Sequence, residues 1–79
     1  MSKYTPFREW LKRQPVNEAL LTFAQLEEII GDKLPPSARK WFNSWDNTPG
    51  SPMEDSWLDA GWRTVMVDME NETVRLKRT

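Results

Sequence analysis

Leu21-Thr22-Phe23-Ala24-Gln25-Leu26-Glu27-Glu28-Ile29-Ile30-Gly31 is the stretch on which the fold turns. Thr22 and Gln25 stand in capping-box spacing, in which each side chain satisfies a backbone N–H left orphaned at a helix start. Phe23, Leu26, Ile29 and Ile30 recur at three- and four-residue intervals and form one apolar stripe. Gly31 follows the last apolar residue, where a left-handed cap suits glycine. The spacing predicts a helix closed by Gly31, entered from a brief strand over 17–21 with Ala19 and Leu21 on one side.

Working outward towards the N-terminus, Thr5-Pro6 opens a first helix, since proline at the first helical position loses no hydrogen bond. Phe7, Trp10 and Leu11 make its apolar face, Lys12 and Arg13 suit its carbonyl end, and Pro15 stops it. Towards the C-terminus, Asp32-Lys33-Leu34 leads into Pro35-Pro36, and the second proline opens a third helix. Ala38, Trp41, Phe42 and Trp45 recur at helical spacing and are expected inward, leaving Ser37, Arg39, Lys40 and Asn43 outside. The run from Asp46 to Gly50 reads as a loop. Ser51-Pro52-Met53-Glu54 is a second capping box, opening a short helix with Met53, Trp57 and Ala60 inward and Gly61 as its stop. A strand over Trp62 to Met69, phased by Val65, Val67 and Met69, a turn at Glu70-Asn71 and a strand from Thr73 to Arg78 complete a hairpin.

This order predicts a small winged-helix-like α+β domain spanning residues 1–79. It has three to four helices, and a short strand pairs with the C-terminal β-hairpin. The runner-up is a small α+β domain with no groove-reading helix.

The composition removes several function classes. The 79 residues include no histidine and no cysteine, so the commonest general base, the thiolate nucleophile and the usual structural zinc site are absent. A chain this short buries only about 60% of its unfolded surface, and the five tryptophans supply much of what core it has. No P-loop, dinucleotide fingerprint or nucleophile elbow occurs. Asp68, Glu70 and Glu72 could offer oxygen ligands to a divalent cation, but without calcium-loop spacing they read as a solvated turn. The expectation is a non-enzymatic protein with no cofactor, no metal and no small-molecule substrate. No apolar run approaches the roughly 20 residues that span a bilayer, and Met1 to Pro6 lacks a signal-peptide core, so no membrane is expected and the chain reads as cytoplasmic.

The formal charge of −1 hides a pattern: residues 1–53 carry +1, residues 54–72 carry −5 and residues 73–79 carry +3. In a winged arrangement Ser37, Arg39, Lys40 and Asn43 would face a duplex from the third helix. Arg75 and Lys77, alternating with Val74 and Leu76, would meet phosphate from the hairpin. The plainer reading is that such side chains form a solvated helix face. Glu27, Glu28 and Asp32 near the turn count against a phosphate backbone. Trp10, Trp41, Trp45 and Trp57 are expected in the core, whereas Trp62, next to Gly61, is the candidate exposed aromatic.

Leu21-Thr22-Phe23-Ala24-Gln25-Leu26-Glu27, Leu34-Pro35-Pro36-Ser37-Ala38-Arg39-Lys40, Trp45-x-Asn47 and Trp57-Leu58-x-Ala60-Gly61-Trp62 together resemble a small uncharacterised bacterial domain family over about Tyr4 to Arg78. That family occurs alone and attached to larger bacterial proteins, some of them nucleases, so the resemblance implies a setting of DNA handling. It carries no assigned active site. This chain departs from it at Ser44-Trp45, where the family usually shows two tryptophans. Within the motif, Ser37 would cap the third helix, Arg39 would pair with Glu27 or Glu28, and Asn47 would build its loop through an Asx turn.

Two partner classes follow. The first is DNA, met by a winged helix-turn-helix through Ser37, Arg39, Lys40, Asn43, Arg75 and Lys77. A monomer of this size offers few phosphate contacts, which favours a homodimer or a fused partner. The second is a protein partner, with the chain as adaptor, inhibitor or DNA mimic of a bacterial or mobile-element system, using Trp62, Asp55 and Asp59.

Overall fold

The computed structural model describes residues 2–79; Met1, the first residue of the signal-peptide reading, lies outside the described residues. The elements run α1 (Thr5–Lys12), β1 (Glu18–Thr22), α2 (Phe23–Ile30), α3 (Pro36–Lys40), a 3-10 turn (Phe42–Trp45), α4 (Pro52–Asp59), β2 (Trp62–Asp68) and β3 (Thr73–Arg78). This is a small α+β domain whose C-terminal strands form a hairpin. Among the described residues no helix is long and apolar enough to cross a membrane.

Helix α2 has the ends its sequence specifies. The Thr22 hydroxyl accepts from the Gln25 N–H at 3.0 Å, and the Gln25 side chain accepts from the Thr22 N–H at 2.8 Å. Gly31 closes the helix at φ 69°, and its N–H donates to the Glu27 carbonyl. At α4 the Ser51 hydroxyl accepts from the Glu54 N–H at 3.3 Å.

The three strands form an antiparallel sheet in the order β1-β3-β2, so the hairpin's second strand is central and the short strand β1 pairs with it. Leu21, Val74, Leu76, Trp62 and Thr64 point to the buried face. There they meet Phe7 and Leu11 of α1, Phe23 and Leu26 of α2, and Met53 and Trp57 of α4 in one hydrophobic cluster. Phe23, Trp45 and Trp57 stack in sequence, with centroids 4.6 and 6.0 Å apart and rings within 14° and 5° of parallel. Trp10 is half-buried and stacks on Phe7 at 6.2 Å.

Two expectations from the sequence need correction. The third helix is far shorter than the periodicity of Ala38, Trp41, Phe42 and Trp45 suggested, because it stops at Lys40 and Trp41 is extended (φ −117°, ψ 120°). The turn at Trp41 lets Trp45 pack between Phe23 and Trp57 with its indole N–H on the Ala38 carbonyl at 2.7 Å, the oxygen that a continuing helix would offer to Phe42. The Ser44 hydroxyl donates to the Ser37 carbonyl at 3.0 Å, beside the Trp41 N–H that the same oxygen accepts at 2.8 Å. Ala38 and Trp45 stay in the core, but Trp41 and Phe42 are thrown out, 58% and 63% exposed.

The second correction lies in β2. A register shift between Thr64 and Met66 places an extra residue, Val65, against β3. The inward set is therefore Trp62 and Thr64 before the bulge and half-buried Val67 after it, not a continuous Val65-Val67-Met69 row.

Candidate nucleic-acid interface

The sheet has one covered and one open face, and the pairing register decides what the open face displays. Three cross-strand rows lie on it: Glu18-Lys77-Arg63, then Leu20-Arg75-Met66, then Thr22-Thr73-Asp68. Glu18, Leu20, Arg63, Met66, Arg75 and Lys77 are all exposed, and none belongs to the hydrophobic cluster. Neighbouring strands stand about 4.8 Å apart and alternate residues along one strand about 6.8 Å apart, so Arg63, Arg75 and Lys77 form one compact group. Among the described residues Arg63 and Lys77 join no ion pair, while Arg75 lies 3.6 Å from the Glu18 carboxylate. The other acid on this face, Asp68, is turned to local work: it accepts from the N–H groups of Glu70 and Asn71 and from the Asn71 amide. Those bonds, led by that from the Asn71 backbone, hold the Asp68 carboxyl below the usual range.

Phe42 borders this face. Together with Asp46, Asn47 and the β2 residues Thr64 to Val67 it lines a shallow groove along the outer edge of the sheet. Asn47 closes one end of that edge as a strand would. Its amide donates to the Thr64 carbonyl at 2.9 Å and its oxygen accepts from the Thr64 N–H at 2.9 Å and the Trp57 indole at 3.1 Å. Asn47 is thus structural, but by plugging a strand edge; the Asx contact in the loop belongs to Asp46, which accepts from the Thr48 N–H.

The third-helix candidates separate. Arg39 donates to Glu72 at 2.6 Å and to Glu27 at 2.8 Å, so its guanidinium is held by two carboxylates of its own chain. The Glu72 hydrogen bond, then that of Glu27, raises the Arg39 pKa further, while Glu27 is lowered first by the Leu34 N–H and then by Arg39. Ser37 is exposed and caps nothing, the N-cap position being Pro35. Lys40 is exposed, makes no ion pair among the described residues and places its Nζ 5.3 Å from the Trp41 ring centroid. Asn43 is exposed on the 3-10 turn, outside α3. With five residues α3 is about 7.5 Å long.

The residues named for a protein partner fare less well. Trp62 is fully buried, a correction to its expected exposure. The bulge-defined phase of β2 turns it inward, and the Arg78 guanidinium covers its ring at 4.9 Å. Arg78 is held by the carbonyl of Gln14 at 2.7 Å and by the Asn17 side chain at 3.1 Å, so this member of the basic C-terminal end clamps the segment between α1 and β1 to the sheet. Asp55 is half-buried and accepts from the Gly50 N–H, and Asp59 is exposed on α4.

Arg63 and Met66 lie on this open face, Phe42 borders it and Trp41 stands next to Phe42 in the chain, although no sequence motif marks them. Arg63 is opposite Lys77 only in the observed register, and a strand phased on Val65 turns it the other way. No listing of motifs would have revealed it; the hint was Val65-Met66, two adjacent apolar residues that break strict alternation.

No curated protein and no solved structure matches the chain. One sequence profile does, over residues 4–79. The chain accordingly belongs to DUF7662, a domain family of unknown function.

Proposed function

We propose that this chain is a non-enzymatic DNA-binding module of winged-helix type, in which the open face of the hairpin carries the phosphate contacts. The observation behind the reading is the grouping of Arg63, Arg75 and Lys77 in adjacent register on a sheet face that no helix covers. Cations borne on backbone positions about 5–8 Å apart on a sheet suit a repeating anionic backbone better than a single small anion. The element order and the β1-β3-β2 sheet are compatible with the winged arrangement. Lys40, beside the exposed Trp41 ring, is left as the unpaired cation of the third helix among the described residues, whereas Arg39 is committed to Glu27 and Glu72.

Fluorescence anisotropy with a labelled oligonucleotide at about 50 and 200 mM salt tests the reading. Binding should weaken as salt rises, and Arg63→Ala with Arg75→Ala and Lys77→Ala should remove most of it. If about 10 µM protein binds no oligonucleotide at the lower salt, the proposal fails.

A further inference from the structure

We infer that the strand recognised is single, with bases stacking on Trp41 and Phe42 while Lys40, Arg63, Arg75 and Lys77 hold the phosphates. This rests on the DNA-binding reading above and adds the physical state of the ligand. Three observations carry it.

The first is where the aromatic residues lie. Tyr4, Phe7, Phe23, Trp45, Trp57 and Trp62 are buried, and Trp10 is half-buried. Trp41 and Phe42 stand apart from them, adjacent in the chain and exposed. Val16, Leu20, Val65 and Met66 are exposed too, but Trp41 and Phe42 are the aromatic members of that set among the described residues and supply faces on which a planar base can stack.

The second is their surroundings. Lys40 sits against Trp41, and Phe42 shares its groove with Met66, which is the register partner of Arg75. Aromatic rings bordered by cations are the arrangement by which a single strand is held, since every base has a face to stack and every link a phosphate to pair. The three cations of the open face outnumber its two acids, Glu18 and Asp68, and this favours an anionic chain over an apolar peptide.

The third argues against a duplex. Bases inside a duplex are already stacked and reach a protein ring only after leaving the helix. The element that would enter a major groove, α3, has five residues, and its Arg39 is held by two carboxylates. Arg63, Arg75 and Lys77 share one strand-wide face and match one backbone, not two.

The test uses the full chain and a mixed-sequence labelled oligodeoxynucleotide of about 16 nucleotides, offered single-stranded and as its duplex. The single strand should bind at least about tenfold more tightly, with a log–log salt slope of about −2 to −3 for three to four phosphates. Trp41→Ala and Phe42→Ala should each weaken single-strand binding about 5- to 150-fold and leave the melting temperature within a few degrees, both side chains being exposed. Equal affinity for both forms, unchanged by the aromatic substitutions but lost with Arg63, Arg75 and Lys77, overturns the inference and leaves the DNA-binding reading intact. Binding of neither form overturns both. If the aromatic substitutions alter only the sedimentation of the protein, the pair is a protein contact and the inference falls.

Discussion

Asn47→Ala should cost far more than an exposed loop residue ordinarily does. The Asn47 side chain accepts from the Trp57 indole at 3.1 Å and the Thr64 N–H at 2.9 Å, and donates to the Thr64 carbonyl at 2.9 Å. The Thr64 hydroxyl is not counted, because its single proton is committed to the Trp45 carbonyl at 2.6 Å. Truncation leaves the Trp57 N–H stranded in the core, since that residue is fully buried. An unpaired buried donor costs about 1–3 kcal/mol, while the two backbone groups at the sheet edge regain water and lose about 0.5 kcal/mol each. The sum is about 2–4 kcal/mol, against a total stability of roughly 4–12 kcal/mol for a domain of this length. Thermal unfolding followed by far-UV circular dichroism should show a fall of roughly 10–20 °C. A double-mutant cycle with Trp57→Phe isolates the shared bond, with an expected coupling of about 1 kcal/mol. A fall of under about 3 °C, or no coupling, would mean that water replaces the amide and that Asn47 is not the plug described.

Trp62→Phe offers a contrast with Trp57→Phe, because the buried Trp62 indole N–H has no hydrogen-bond partner among the described residues. Both substitutions lose ring volume, but only the one at Trp57 breaks a bond, so urea titration should find Trp62→Phe less destabilising by about 1 kcal/mol. Acid should weaken the fold through Glu27, whose folded pKa lies below its usual value because the Leu34 N–H, and then Arg39, favour the carboxylate. A depressed carboxyl pKa gives stability that is complete above the unfolded value and is lost as pH falls through the folded one. Glu27→Gln should therefore flatten the acid limb of a stability-against-pH curve; an unchanged limb would refute the assignment. Glu54 works in the opposite sense: burial and the neighbouring Asp46 raise its pKa, so its contribution is lost as pH climbs through the folded value.

Much of this molecule was legible residue by residue. Thr22, Gln25 and Gly31 mark the ends of α2 because capping is a local transaction between a side chain and backbone three or four residues away. The same holds for Ser51 at α4, and the alternation of Val74 and Leu76 with Arg75 and Lys77 gives the correct faces of β3. The site was legible only in part. Arg75 and Lys77 were found by that alternation, whereas Arg39 was placed on an exposed face but not seen to be held by Glu72, which lies 33 residues away.

The sequence alone thus determined the local elements and the near-neutral charge that conceals a basic C-terminal end. Tertiary structure decided two things that local periodicity cannot express. Burial of Trp45 between Phe23 and Trp57, with its indole on the Ala38 carbonyl, goes with the early end of the third helix and leaves Trp41 and Phe42 outward. The bulge at Val65 reset the phase of β2, burying Trp62 and bringing Arg63 beside Lys77. In each case the deciding interaction is made in three dimensions, an aromatic ring packed against distant elements or a partner strand imposing its register. A single residue's displacement there exchanges the inner and outer faces.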